Sequence, residues 1–153
     1  MPDRIVISDA STIIGLTNIE SLHLLSELYE VIEITSVVLE EVGLSLPEWI
    51  RVNDDYNQVT YRSLVPMLDA GEASSIALAL ENPSSLLIID ERKGRKYASE
   101  LGLRITGVTG VIIRAKNEGF LQSGKEKLDE LINQGFRLSR KIYELALVNM
   151  NEG

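Results

Sequence analysis

Two short apolar segments, each ending in an aspartate, decide how this chain folds: IVISD at residues 5–9 and LLIID at residues 86–90. Both are continuous apolar runs, which are typical of strands buried on both faces of a parallel sheet. A helical pattern follows each segment. VIEI at residues 31–34 and LRI at residues 103–105 are weaker strand candidates.

Amphipathic helices are predicted between and after these strands. Apolar side chains recur at i, i+3, i+4 and i+7 in residues 73–80, and similar patterns follow at 108–115, 128–132 and 142–146. Residues 54–60 (DDYNQVT) read as a polar loop. Strands that alternate with helices predict an α/β domain with a central parallel sheet, and we expect one domain over residues 1–153.

Composition bounds the function classes. The chain has 153 residues, 44% of them hydrophobic and 25% charged, as in ordinary globular domains. It has no cysteine, which excludes disulfides and thiolate metal sites, and His23 is its only histidine, which excludes zinc sites built from several imidazoles. No signal pattern opens the chain and no apolar run approaches a membrane span, so we expect a cytoplasmic protein with no membrane partner.

The net charge of −8 hides an asymmetry between the two halves. Residues 1–84 carry three basic and fourteen acidic side chains, whereas residues 85–153 carry twelve basic and nine acidic ones. Because a partner responds to the local potential, a basic surface for nucleic acid remains available in the second half.

Asp9 and Asp90 are the first candidate site residues. Ligands of open parallel sheets bind at the carboxyl ends of the strands, where both aspartates are predicted to lie. If the two strands are neighbours, the carboxylates repel each other unless a basic group, a shared proton or a metal ion intervenes. Oxygen ligands alone favour Mg²⁺ or Mn²⁺. The alternative is that each aspartate only caps the helix that follows it.

Glu41 is the third candidate, from the segment TSVVLEEV at residues 35–42. On a helical wheel Glu40 lies opposite the apolar face and is expected in solvent, whereas Glu41 lies at the edge of that face. An acid there is unusual unless it is paired or binds a ligand. The alternative is a surface Glu41 with a basic partner. The predicted buried face comprises Val37, Val38, Leu39 and Val42.

Glu72 is the fourth candidate, at the start of the helix in LDAGEASSIALA at residues 68–79. A carboxylate also interacts favourably with the helix dipole at that position, which is the alternative role. Gly71, just before it, allows a close approach to the backbone. Ser11 follows Asp9 by two residues and either caps the helix or hydrogen-bonds a metal-bound water or a phosphate.

A basic cluster follows Asp90 in the segment ERKGRK at residues 91–96. Its four cations lie on one side of the helical wheel, next to the predicted acidic site, and this adjacency favours a contact with a phosphate backbone. A solvated charged face is the alternative. The four residues are Arg92, Lys93, Arg95 and Lys96.

The chain resembles the PIN-domain family, and within it an uncharacterised branch close to the VapC-type toxins. The resemblance covers nearly the whole chain: an aspartate ends the first strand with Ser11 two residues later, TSVVLEEV is similar to the family's acidic helix, and two longer segments match in order and spacing. These segments are LDAGEASSIALA and LLIIDERKGRKYASELGLRITGVTGVIIRAKNEGF. Glu91 stands where some members have a second aspartate, and the family's usual final acidic segment, Asp followed by Phe, is absent.

The resemblance implies a three-layer α/β/α sandwich and a ribonuclease that depends on Mg²⁺ or Mn²⁺. It assigns Asp9, Glu41, Glu72 and Asp90 to the metal and catalytic site, with one or two ions, and leaves open whether Glu72 or Glu91 completes the shell. It further implies an RNA substrate held by the basic helix, a small antitoxin partner and a homodimer. The alternatives are a PIN-like scaffold that binds RNA or protein without cleaving, and a phosphate-accepting receiver domain. The receiver fits poorly because Asp9 has no acidic neighbour in the sequence.

Overall fold

Five parallel strands form the central sheet in the order β3-β2-β1-β4-β5. The structure is a computed structural model and describes residues 5–153. The strands predicted at IVISD, VIEI, LLIID and LRI are all present, with ends shifted by one or two residues. The bounds are β1 (Val6–Ser8), β2 (Ile32–Ile34), β3 (Ile50–Val52), β4 (Leu86–Ile88) and β5 (Arg104–Thr106).

Helices connect these strands and cover both faces of the sheet. None of the helices within residues 5–153 combines the length and apolar character that a membrane span requires. Their bounds are α1 (Ala10–Asn18), α2 (His23–Tyr29), α3 (Ser36–Val42), α4 (Gln58–Leu64), α5 (Ala70–Glu81), α6 (Arg92–Glu100), α7 (Val108–Asn117), α8 (Gly124–Asn133) and α9 (Arg140–Asn149).

Each face of the sheet has its own apolar core. In β1, Val6 belongs to the core with α1, α2, α3, α7, α8 and α9, whereas Ile7 belongs to the core with α4, α5 and α6. This division follows from the strand geometry, because successive side chains point to opposite faces. Both residues are at most 3% exposed, which explains the continuous apolar run. The three-layer α/β/α architecture is therefore confirmed.

The chain reverses its direction of travel across the sheet at β1. It proceeds from β1 to β2 and β3 on one side, then crosses over to β4 and β5 on the other. The β1–β4 pair, with Ile7 opposite Leu87, is therefore the point where ligands bind in open α/β sheets. Asp9 and Asp90 follow these two strands directly.

Two local predictions were wrong. Residues 54–60 are not all loop, because α4 begins at Gln58. Asn57 caps that helix by accepting hydrogen bonds from the backbone N–H groups of Val59 and Thr60, at 2.8 and 3.0 Å. Leu39 is 36% exposed instead of buried, since the short helix α3 packs mainly through Val38 and Val42.

Candidate functional site

Asp9 and Asp90 lie side by side at the carboxyl ends of β1 and β4. Asp9 is only 3% exposed, and its Oδ2 accepts a hydrogen bond from the backbone N–H of Asp90 at 2.9 Å. Its Oδ1 accepts from the backbone N–H of Thr12 at 2.9 Å, so Asp9 also caps α1. The capping role and the pairing with Asp90 therefore coexist in one carboxylate.

Thr12 connects the two carboxylates. Its hydroxyl donates to Oδ2 of Asp90 at 2.8 Å, while its N–H serves Asp9. The backbone N–H of Val108 donates to Oδ1 of Asp90 at 2.9 Å, so Asp90 lies at the N-terminus of α7 and does not cap α6. Sequence reasoning missed Thr12, although a hydroxyl in the first turn after a capping aspartate could have signalled it.

Burial dominates the electrostatics of this pair. Burial, with a smaller contribution from the nearby Asp90 carboxylate, raises the pKa of Asp9 to about 6, although the hydrogen bonds from Thr12 and Asp90 oppose the shift. Burial also raises the pKa of Asp90, although the Val108 N–H, the Thr12 hydroxyl and the Arg95 charge oppose the shift. Two desolvated carboxylates beside each other form a place where a cation is stabilised.

Glu72 is buried at the first turn of α5, 7% exposed, and it faces several other acids. Burial and, to a smaller extent, the negative charges of Asp69, Glu91, Asp9 and Glu41 together raise its pKa to about 8. Asp69 caps α5 by accepting from the Glu72 N–H at 2.9 Å. Sequence reasoning missed Asp69, although an aspartate three residues before Glu72 is an N-cap signal.

Glu41 extends from α3 to the first turn of α5. The residue is exposed, as is Glu40, but its carboxyl group lies against Gly71, where an added Cβ would overlap Oε1 of Glu41. Gly71 thus permits the predicted close approach, and the group that approaches is the Glu41 carboxylate. Burial and the charge of Asp69 raise the pKa of Glu41.

Glu91 and Ser11 occupy the rim. Glu91 is exposed and caps α6, its Oε1 accepting from the Lys93 N–H at 2.9 Å. Ser11 is exposed and lines the groove described below, next to Asp90. Glu72, and not Glu91, is therefore the buried acid that lies near Asp9.

An open groove of about 1410 Å³ begins at Asp90 and runs between α6 and the α8–α9 connection. Arg92 and Arg95 line it, but Lys93 and Lys96 do not, so the expected common face of four cations is divided. Arg137, which sequence reasoning missed, adds a cation from the α8–α9 connection. The apolar part of the groove comprises Ile105, Ile132, Phe136, Leu138 and Ile142.

The carboxylates fit a hard divalent cation in their chemistry. Within residues 5–153, no three or more acidic or histidine side chains lie close enough together to bind one ion. Mg²⁺, however, usually keeps several waters and uses only one or two carboxylates together with substrate phosphates. Asp9 and Asp90 supply such a pair, and each of their oxygens retains a lone pair beyond its hydrogen bond.

Comparison with known proteins adds the family. A family model described as a PIN domain matches residues 5–152, nearly the whole chain. The chain belongs to the PIN-domain family. PIN domains are generally nucleases that depend on a divalent metal, which agrees with the oxygen-rich strand ends of this PIN domain. Searches of curated proteins and of solved structures returned no match.

Proposed function

We propose that this PIN domain is an endoribonuclease that uses Mg²⁺ or Mn²⁺ to hydrolyse RNA phosphodiester bonds. The observation that carries the proposal is the pair formed by the buried Asp9 and the half-buried Asp90, at the point where the sheet order reverses and beside a groove that contains arginines. A groove with cations beside a carboxylate pair suits a polyanion whose reacting phosphate must reach a metal.

In this proposal Asp9 and Asp90 hold the metal, and Glu41 and Glu72 complete its surroundings directly or through water. The bound ion supplies Lewis-acid polarisation of the phosphate and a water of lowered pKa. The chain's own residues orient the reaction: Thr12 fixes both aspartates, and Ser11 lies at the groove entrance. A water oxygen attacks phosphorus, one bridging P–O bond breaks, and a proton from the water ends on the leaving oxygen.

The basic side chains of α6 hold the RNA backbone in this proposal. Arg92 and Arg95 are the two that line the groove, with Arg137 from the α8–α9 connection, while Lys93 and Lys96 attract RNA from outside it. Contacts of this kind release counterions and so make RNA affinity dependent on salt.

A toxin role within a type II toxin–antitoxin pair, with a small antitoxin and a homodimer, is the finer part of the proposal. Its support is the resemblance to VapC-type toxins and an exposed apolar row on α9, where Ile142, Leu145 and Val148 are 46%, 51% and 63% exposed. Exposed apolar rows of this kind indicate a protein interface. Expression in a bacterial host should arrest growth, and Asp90→Asn should abolish the arrest.

The test of the activity is cleavage of single-stranded RNA by the purified protein with Mg²⁺, with Mn²⁺ and with EDTA. We expect cleavage only with metal, and none from Asp90→Asn, which preserves the side-chain shape. Binding of RNA without cleavage under every metal condition would favour the alternative, a PIN-like scaffold without activity. Equal cleavage by the parent and Asp90→Asn would place the activity outside this site.

A further inference from the structure

Arg95 differs from the other cations of α6 in how it is held. Arg92, Lys93 and Lys96 are exposed, whereas Arg95 is half-buried and its Nη1 donates to the backbone carbonyl of Ile89 at 3.0 Å. The guanidinium is thus fixed to the residue that directly precedes Asp90. A cation fixed in this way loses little further conformational freedom when it binds a ligand.

Gly107 brings the Arg95 guanidinium and the Asp90 carboxylate to the same spot. A Cβ added at Gly107 would lie 2.6 Å from Nη1 of Arg95 and 2.7 Å from Oδ1 of Asp90. Both groups therefore pack against a bare Cα, and any larger residue would displace one of them. The glycine keeps a positive group beside the acidic pair.

Arg95 forms no ion pair within residues 5–153. Among the residues the structure describes, no carboxylate lies within 4.0 Å of its nitrogens, although Asp90 and Glu91 are close in sequence. Its hydrogen bond to Ile89 uses Nη1 alone, and the residue lines the groove. A guanidinium whose other N–H groups make no hydrogen bond within residues 5–153, at the groove end next to the carboxylate pair, is arranged to bind two oxygens of a phosphate.

We propose that Arg95 is a catalytic residue that contacts the non-bridging oxygens of the phosphodiester being cleaved; this rests on the proposed nuclease function. Negative charge on those oxygens must be stabilised as the water attacks, and a donor fixed before reaction does this without reorganisation. Arg95 therefore acts on the rate of cleavage, while the exposed cations of α6 act on RNA affinity.

Single-turnover cleavage and metal-free binding of the same short single-stranded RNA test this role. We expect Arg95→Gln to lower the cleavage rate about a hundredfold, the loss typical for one such donor, with a much smaller change in RNA affinity measured in EDTA. Arg95→Lys should recover only part of the rate, since lysine lacks the planar pair of donors. Arg51→Gln, an exposed charge on the edge strand β3, is the matched control and should leave the rate unchanged.

A second measurement works even if the protein does not cleave RNA. The side-chain Nε–H signal of Arg95, assigned by its loss in Arg95→Lys, should shift when the RNA is added in EDTA. If the parent cleaves but Arg95→Gln retains its rate, or Arg95→Lys restores it fully, the inference is overturned while the nuclease function stands. If the parent never cleaves, the nuclease function fails. If, in addition, RNA shifts the Nε–H signals of Arg92 and Arg137 but not that of Arg95, the contact between Arg95 and phosphate is overturned as well.

Discussion

Thr12 is central to the proposed site because it donates hydrogen bonds to both carboxylates that would hold the metal, those of Asp9 and Asp90. Thr12→Val removes the hydroxyl donor to Asp90 but keeps the N–H that serves Asp9. The lost hydrogen bond to the half-buried, charged carboxylate of Asp90 should cost about 1.5–3 kcal/mol of stability. Cleavage should fall about 10- to 100-fold, as for other residues that orient metal ligands.

Urea unfolding and cleavage assays of Thr12→Val and Thr12→Ser check this prediction. Thr12→Ser keeps both donors and should stay near the parent in each assay. If Thr12→Val cleaves as fast as the parent, Asp90 does not need the hydroxyl to be oriented.

Glu41 and Glu40 are adjacent acids with opposite surroundings, which makes them a matched pair. Of the two, only the Glu41 carboxyl lies against Gly71, and the charge of Asp69 raises its pKa. Glu41→Ala should therefore reduce cleavage by at least about tenfold, whereas Glu40→Ala should have little effect. Gly71→Ala should reproduce the Glu41→Ala loss, because the new methyl group displaces the Glu41 carboxyl. Equal rates for Glu40→Ala and Glu41→Ala would remove Glu41 from the site.

At the scale of the element, the N-terminus of α5 places a buried acid where the folded state resists ionisation. The pKa of Glu72 is raised from 4.5 to about 8, so between these values the folded protein binds more protons than the unfolded chain. Stability without metal should therefore fall as pH rises through this window and level off above it. The slope from one such group is at most about 1.4 kcal/mol per pH unit.

Urea midpoints measured in EDTA at pH 6.5 and pH 8.5 check this prediction. The parent should lose stability between the two values, and Glu72→Gln should lose less because the ionising group is gone. Glu48→Gln, an exposed substitution, should follow the parent. A parent whose midpoint does not change over this range would show that Glu72 is already ionised at the lower pH.

The elements also show what could be predicted from the sequence. The β1 and β4 runs were clear because both strands are buried over their whole length, and the α5 and α7 periodicities were clear because their buried apolar residues recur at helical spacing. Strand β3 was missed, since two of its three residues are exposed and their pattern carries no signal. Helix α4 was hidden in a polar segment, where the Asn57 cap was the only local sign.

Only the part of the site that lies at the strand ends could be predicted from the sequence. Asp9 and Asp90 were placed together because parallel strands end at one edge. The hydrogen bond from Thr12 to Asp90 and the place of Arg137 in the groove depend on how distant parts of the chain pack against that edge. No local pattern encodes such contacts, and none shows that only Arg92 and Arg95 among the α6 cations line the groove.

At the scale of the whole molecule, the fold gathers opposite charges around one crevice. Carboxylates come from both halves of the chain, as Asp9, Glu41 and Glu72 from the first half and Asp90 from the second. The groove arginines all come from the second half. This arrangement lets an acidic protein present a local basic groove beside the acidic strand ends, which its net charge of −8 would not suggest.

The central claim is that Asp9 and Asp90 hold a divalent cation, and thermal unfolding of the parent and Asp90→Asn, with and without Mn²⁺, tests it most directly. Asparagine can accept from the Val108 N–H through its oxygen and donate from its amide nitrogen to the Thr12 hydroxyl, while it removes one partly buried charge. Without metal, Asp90→Asn should be as stable as the parent or more stable. With metal at a hundredfold excess over its dissociation constant, the parent should gain about 2.7 kcal/mol and Asp90→Asn much less. A parent melting temperature that does not respond to millimolar Mn²⁺ would contradict the metal site.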